Sequence, residues 1–142
     1  MKKKLSLRIR IDFNQLCSIG PGKIQLLEAI EKTGSLSQAA RDMDMSYRRA
    51  WLLMDSMNSS FDKTVASAST GGTGGGGAAL TEFGQELVKT FRDLEKKLAG
   101  IAEKHLRDIE PHVQLSPTKK AKSVKLQRSF DKPKRTRMVR KV

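Results

Sequence analysis

Three features of the 142-residue sequence predict a mainly α-helical fold with a small β-wing. Two short helical patterns separated by a tight turn end near Asn58, a glycine run sits between two short extended segments, and a longer amphipathic helix follows. Together they describe a winged helix-turn-helix with a long C-terminal dimerisation helix. The boundaries expected are 1–80 for the winged helix-turn-helix domain, 81–109 for the dimerisation helix and 110–142 for a basic tail.

The chain opens on an alternation. Leu5, Leu7, Ile9, Ile11 and Phe13 are interleaved with Ser6, Arg8, Arg10 and Asp12, and a period of two puts all five apolar side chains on one face of a half-buried strand. Pro21 suits a first helical turn. Ile24, Leu27 and Ile30, with Leu26 beside them, form a helical stripe, and Gly34 follows where a left-handed terminator is wanted. Ser35-Leu36-Ser37-Gln38 has the form of a capping box for a second helix running to about Met43, with Ala39 and Ala40 making one side thin enough for close approach. Asp44 takes the turn position, since Asp tolerates the left-handed region better than most residues. Ser46 then caps a third helix from Tyr47 to about Asn58.

Val65 to Ser69 and Ala78 to Leu80 flank the run Gly71-Gly72-Thr73-Gly74-Gly75-Gly76-Gly77, which fits a β-hairpin wing. Thr81 can cap a fourth helix of roughly 25 residues. Leu87, Phe91, Leu94, Leu98 and Ile101 recur along it at spacings of four, three, four and three, a heptad-like seam expected to pair with a second copy.

Charge points to a partner. The chain carries 28 Lys and Arg against 15 Asp and Glu, a net of +13, which favours phosphate-bearing polymers. From Pro111 onward there are eleven Lys or Arg against one acid, leaving residues 1–110 with a net of only +3. The basic segment lacks apolar periodicity and is expected to be disordered alone. Cys17 is the single cysteine, so no internal disulfide forms. Arg8, Arg10 and Asp12 interrupt any signal-peptide core and no apolar run is long enough to span a bilayer, so no membrane partner and a cytoplasmic location are expected.

The third helix is the expected reader. Ala50, Met54 and Met57, with Leu53 at the edge, point to the core, while Arg48, Arg49, Leu52 and Asp55 point away with Tyr47 and Trp51 on the border. An arginine pair near the start of such a helix suits double-stranded DNA, because guanidinium binds guanine O6 and N7 bidentately. For Trp51, packing at the core or a dimer edge and contact with DNA both stay open. Ser35, Ser37 and Ser46 stand at helix starts, where hydroxyls meet phosphates or simply cap, and the same two roles apply to Gln38. Gly72, Gly74 and Gly77 match a dinucleotide-binding spacing but lack the strand–turn–helix context, so no cofactor is expected. No carboxylate pair, metal-ligand cluster or nucleophile signature occurs at useful spacing, so neither a metal site nor an enzyme is expected.

The run Gly34 to Ala40, the run Ser46-Tyr47-Arg48-Arg49-Ala50-Trp51, Met57-Asn58, the glycine wing from Thr70 to Ala78, Leu80-Thr81 and Gly84 together resemble the N-terminal domain of ModE-type molybdate-responsive repressors, over about residues 5–105. More distantly, the helix-turn-helix resembles that of LysR-type regulators. The resemblance implies a homodimer on a palindromic operator, with the third helix in the major groove and the wing on flanking backbone. It places Tyr47 and Arg48 on the reading helix and Gly71 to Gly77 at the wing tip. The family wing often carries a basic residue where Thr73 stands. Family members also continue into C-terminal molybdate-binding domains, for which 142 residues leave no room, so molybdate binding is doubtful. The expected function is a sequence-specific transcriptional regulator. The alternative is a nucleoid-type protein that coats DNA or RNA through its basic tail; a tail that only solubilises or docks a partner is a third reading.

Overall fold

The computed structural model describes residues 4–69 and 77–114. The expected wing-tip contacts at Gly71, Gly72, Thr73 and Gly74, and the tail beyond residue 114, lie outside the described residues. In chain order the elements are β1 (Ile11–Phe13), β2 (Cys17–Ile19), α1 (Pro21–Thr33), α2 (Leu36–Asp42), α3 (Tyr47–Ser60), β3 (Ala66–Ala68), β4 (Ala78–Leu80) and α4 (Glu82–Leu106). The protein is thus mostly helical with two small antiparallel ladders, an arrangement compatible with a winged helix. Lys4–His105 form one unit; residues 107–114 hold a single 3-10 turn, Glu110–His112.

The opening strand is shorter than its alternation predicts. Only Ile11–Phe13 pair, with Cys17–Ile19 across a turn in which Asn14 takes a φ of 59°. The reason is the partner: β2 runs at once into Gly20 and Pro21, and α1 begins there, so no backbone remains for Leu5–Arg10 to pair with. The alternation itself persists, with Leu5, Leu7, Ile9 and Ile11 half-buried and Lys4, Ser6, Arg8 and Arg10 exposed. Phe13, expected on the buried face, is exposed.

Helices α1, α2 and α3 pack on one another around Ile24, Leu26, Leu27, Ile30, Leu36, Ala39, Ala40, Ala50 and Met57, each at most 2% exposed. Burying each Leu or Ile stabilises the fold by about 1.5–3 kcal/mol. Their ends are set locally. Gly34 at φ 66° ends α1 and its N–H donates to the Ile30 carbonyl. The Ser35 hydroxyl accepts from the Gln38 N–H at 3.2 Å, starting α2. The reciprocal half of the capping box does not form: Ser35 N–H donates to Thr33 Oγ1, while the Gln38 amide bonds Asp42 and Arg41 on its own helix. Asp44 adopts φ 53°, as the turn requires, and Ser46 Oγ accepts from Arg49 N–H to open α3.

The second ladder pairs Ala66 with Leu80, Ser67 with Ala79 and Ala68 with Ala78. It is tied to the helices at both ends. Asn58 on α3 accepts from the Val65 and Ala66 N–H groups and donates to the Ala66 carbonyl, and Ala78 N–H donates to the Gly34 carbonyl. Thr81 N–H donates to the Val65 carbonyl, its hydroxyl is shared between the Thr64 and Val65 carbonyls, and its Oγ1 accepts from Gly84 N–H at 3.1 Å, the expected cap of α4. Helix α4 closes the core with Val88 and Phe91, Phe61 meets Phe83 edge-to-face at 5.3 Å, and Arg92 bridges Glu28 on α1 to Glu95. Those two carboxylates hold the Arg92 guanidinium more firmly protonated than usual, chiefly by hydrogen bonding.

At Gly84 a β-carbon would stand 2.0 Å from the Val65 carbonyl oxygen, a backbone atom that cannot turn aside. Gly84→Ala is expected to destabilise the protein by about 1–3 kcal/mol or more, read as a lowered midpoint in chemical denaturation; an unchanged midpoint would mean that α4 does not approach β3 this closely.

Candidate nucleic-acid interface

Helix α3 is positioned from three sides. Its N-terminus is fixed by Ser46, its inner face by Ala50, Met54 and Met57 in the core, and its last turn by Asn58 gripping β3. The inner face spans the residues expected there, with Leu53 half-buried at its edge. Everything else follows from the helical period. Arg48, Leu52 and Asp55 lie opposite the core, and all are exposed. Tyr47 and Trp51 stand on one shoulder, 42% and 41% exposed, so Trp51 is not a core residue. Leu52 is 52% exposed, an apolar side chain left half open to solvent among the described residues.

Two consecutive residues of a helix are about 100° apart, and this separates the arginine pair. Arg48 faces outward. Arg49 turns to the other shoulder and, with Leu53 and Met45, lines a groove against the N-terminal hairpin and the start of α1. Among the described residues, no ion pair engages either guanidinium.

The candidate phosphate contacts divide. Ser37 and Ser46 are exposed at the starts of α2 and α3, whereas Ser35 is half-buried. The Ser35 and Ser46 hydroxyls accept cap bonds, and among the described residues their own O–H groups remain free to donate. Gln38 is committed at both ends of its amide, its Nε2 donating to Asp42 at 2.8 Å and its Oε1 accepting from Arg41 at 3.0 Å. A phosphate contact by Gln38 would have to compete with those bonds.

The seam of α4 also divides. Phe91, expected to face a second copy, is 2% exposed in the protein's own core, and Leu87 packs against the same core. Leu94 and Leu98 are half-buried, and Ile101 is 52% exposed. The residues available to a partner are therefore those from Leu94 onward.

Sequence reasoning missed the groove beside Arg49. The signal was present in the alternation, which sends Arg8 and Arg10 to the exposed face of the opening segment, but nothing local brings that segment to α3. Among the described residues, no group of three or more His, Cys, Asp or Glu is placed to hold a metal ion, and no helix is long and apolar enough to cross a membrane.

No family model matches the chain. Individual proteins do. It is 37% identical over 111 residues to the molybdenum-pterin-binding protein MopB of Rhodobacter capsulatus, covering 78% of this chain and 40% of that protein. The transcriptional regulator ModE of Haemophilus influenzae is 33% identical over 94 residues, covering 66% of this chain and 37% of the relative. The DNA-binding transcriptional dual regulator ModE of Escherichia coli is 42% identical over 71 residues, 50% of this chain and 27% of that one. Over the stretch they share, the chain is homologous to the ModE-type regulators. It spans less than half the length of these relatives.

Helix α3 owes its fixed start to one hydroxyl. Ser46→Ala is expected to lower stability by about 1 kcal/mol, seen as a reduced thermal midpoint; Ser46→Asp, which keeps an acceptor, should hold the midpoint near that of the parent.

Proposed function

We propose that the protein is a sequence-specific, double-stranded-DNA-binding transcriptional regulator that acts as a homodimer through a winged helix-turn-helix. The observation that carries this reading is the division of α3: one face locked into a three-helix core, the other presenting Arg48, Leu52, Tyr47 and Trp51 to solvent. A helix held this firmly can insert its outer face into a major groove without losing order. Arg48 offers a guanidinium for guanine O6 and N7. Leu52 offers an apolar surface for the one apolar group of the groove, the thymine methyl. The relatives named as transcriptional regulators support the same class. They support a non-enzymatic role as well. A link to molybdenum enters only through such relatives as MopB, named for binding molybdenum-pterin.

In this reading the two-stranded ladder of β3 and β4 is the base of the wing, placed beside α3 by Asn58. The apolar stripe of Leu94, Leu98 and Ile101 on α4 is the dimer seam, and two copies related by a two-fold axis call for a palindromic site.

Selection of bound sequences from a random duplex pool tests the class directly, with a palindromic consensus expected. On the selected duplex, Arg48→Ala should lower discrimination against competitor sequences by about 1–3 kcal/mol; a variant that kept full preference in competition would reject α3 as the reader. Ile101→Glu, at a site exposed in the single chain, should shift the protein toward monomer in sedimentation and remove the dependence of its unfolding midpoint on protein concentration. An unaltered oligomeric state would place the dimer contact elsewhere.

A further inference from the structure

The groove beside α3 is lined by Arg10, Lys23 and Arg49 together with Ser18, Gly20, Gly22, Met45 and Leu53, and encloses about 270 Å³. Three cations meet there, Arg10 from the opening segment, Lys23 from α1 and Arg49 from α3, and no acidic side chain lines it. We propose that this groove seats a phosphate of the duplex backbone, making the N-terminal segment a second backbone clamp beside the reading helix. The proposal rests on α3 being the DNA-reading element.

Each cation is held in place yet keeps donors to spare. Arg10 Nε donates to Asp12 at 2.8 Å, which orients the guanidinium and leaves its terminal nitrogens for another acceptor. Lys23 Nζ donates to the Ser18 carbonyl at 2.8 Å and to Ser56 Oγ at 3.5 Å, which fixes the ammonium between β2 and α3 with one N–H remaining. Arg49 is fixed through its backbone in the Ser46 cap, and its side chain has no ion-pair partner among the described residues. The wall at Gly20 and Gly22 is bare backbone, and a β-carbon at either would meet nothing within 4 Å, so an approaching group finds room. The stripe continues past the groove, because Lys4 and Arg8 share the exposed side of the opening segment with Arg10.

The occupant is a tethered phosphate rather than a free oxyanion. The groove is open to water, and screened surface charges hold a lone ion weakly. A phosphate belonging to a duplex already held by α3 arrives at high effective concentration, so the same three cations suffice.

The test uses the full chain and its selected duplex. Arg10→Gln is expected to lower the slope of log affinity against log salt by about 1 while sequence preference is unchanged. Gly22→Glu places a carboxylate in the groove at a first helical turn, where acid favours folding, so the unfolding midpoint should hold or rise while binding weakens several-fold. Gly22→Gln, of the same size without charge, should bind like the parent. If the parent binds its duplex and both Arg10→Gln and Gly22→Glu match it in affinity and salt slope, the clamp is overturned and the reading of α3 stands. If inorganic phosphate at constant ionic strength displaces the duplex from the parent but not from Gly22→Glu, the groove takes a free oxyanion and the backbone assignment is overturned. A parent that binds no duplex removes the DNA reading and the clamp with it.

Discussion

The backbone at Val65 is the point on which the rest of the structure turns. Its N–H donates to the Asn58 side chain from α3, and its carbonyl accepts from the Thr81 N–H, whose hydroxyl is shared between the Thr64 and Val65 carbonyls. The same carbonyl lies where a side chain at Gly84 would have to be. Two elements of different sequence origin, α3 and the start of α4, are therefore fastened to one residue at the base of β3 that is itself fully buried. Because a buried peptide group left unpaired costs about 1–3 kcal/mol, neither the Val65 N–H nor the Thr81 N–H can be released without loss. The consequence is geometric: the end of α3, the base of β3 and the first turn of α4 are held in a fixed relation.

That relation is what gives the outer face of α3 its meaning. An exposed arginine on a loosely attached helix is a solvated charge, and so is an exposed leucine a routine surface residue. On a helix capped by Ser46, sealed by Ala50, Met54 and Met57 and anchored at Asn58, the same side chains are presented in one orientation. Preorganisation of this kind means that little backbone entropy remains to be lost on association, while the exposed side chains keep theirs.

Most helix boundaries were legible in the sequence because the signals that set them are short-range. Gly34 needs only its own φ, Asp44 only a tolerated left-handed conformation, and Ser35 and Ser46 only an N–H three residues on. The second half of the Ser35 capping box failed for a reason the motif does not contain: Thr33 supplies a nearer acceptor and Gln38 finds Asp42. The first ladder was illegible in its pairing, since Cys17-Ser18-Ile19 has no pattern that marks it as a strand. The α4 seam shows a different limit. A heptad-like spacing states which side chains share a face but not what covers them, and Phe91 turned out to be covered by its own chain. The two arginines of α3 show a third: adjacency in sequence invited a single role, whereas the helical turn sends Arg49 to the groove with Arg10 and Lys23.

Charge on the folded part must be understood by placement, not by total. Residues 1–110 carry a net of only +3, too little to define a basic surface if spread evenly. It is not spread evenly. On the α1–α4 side, Glu28 and Glu95 neutralise Arg92, and Glu31 accepts from Gln85. On the side of α3 and the hairpin, Arg48 and Arg49 have no ion-pair partner among the described residues, Lys23 is bonded to neutral oxygens, and Arg10 shares one edge with Asp12. Part of the acid is thus spent where helices meet, while Arg10, Lys23, Arg48 and Arg49 stand on the side of α3 and the hairpin, with Asp55 on the same outward face as Arg48. Since exposed charges act over roughly 8–10 Å at ordinary ionic strength, such a patch acts locally, whatever the net charge of the whole, and that is what the proposed DNA-facing role of α3 requires.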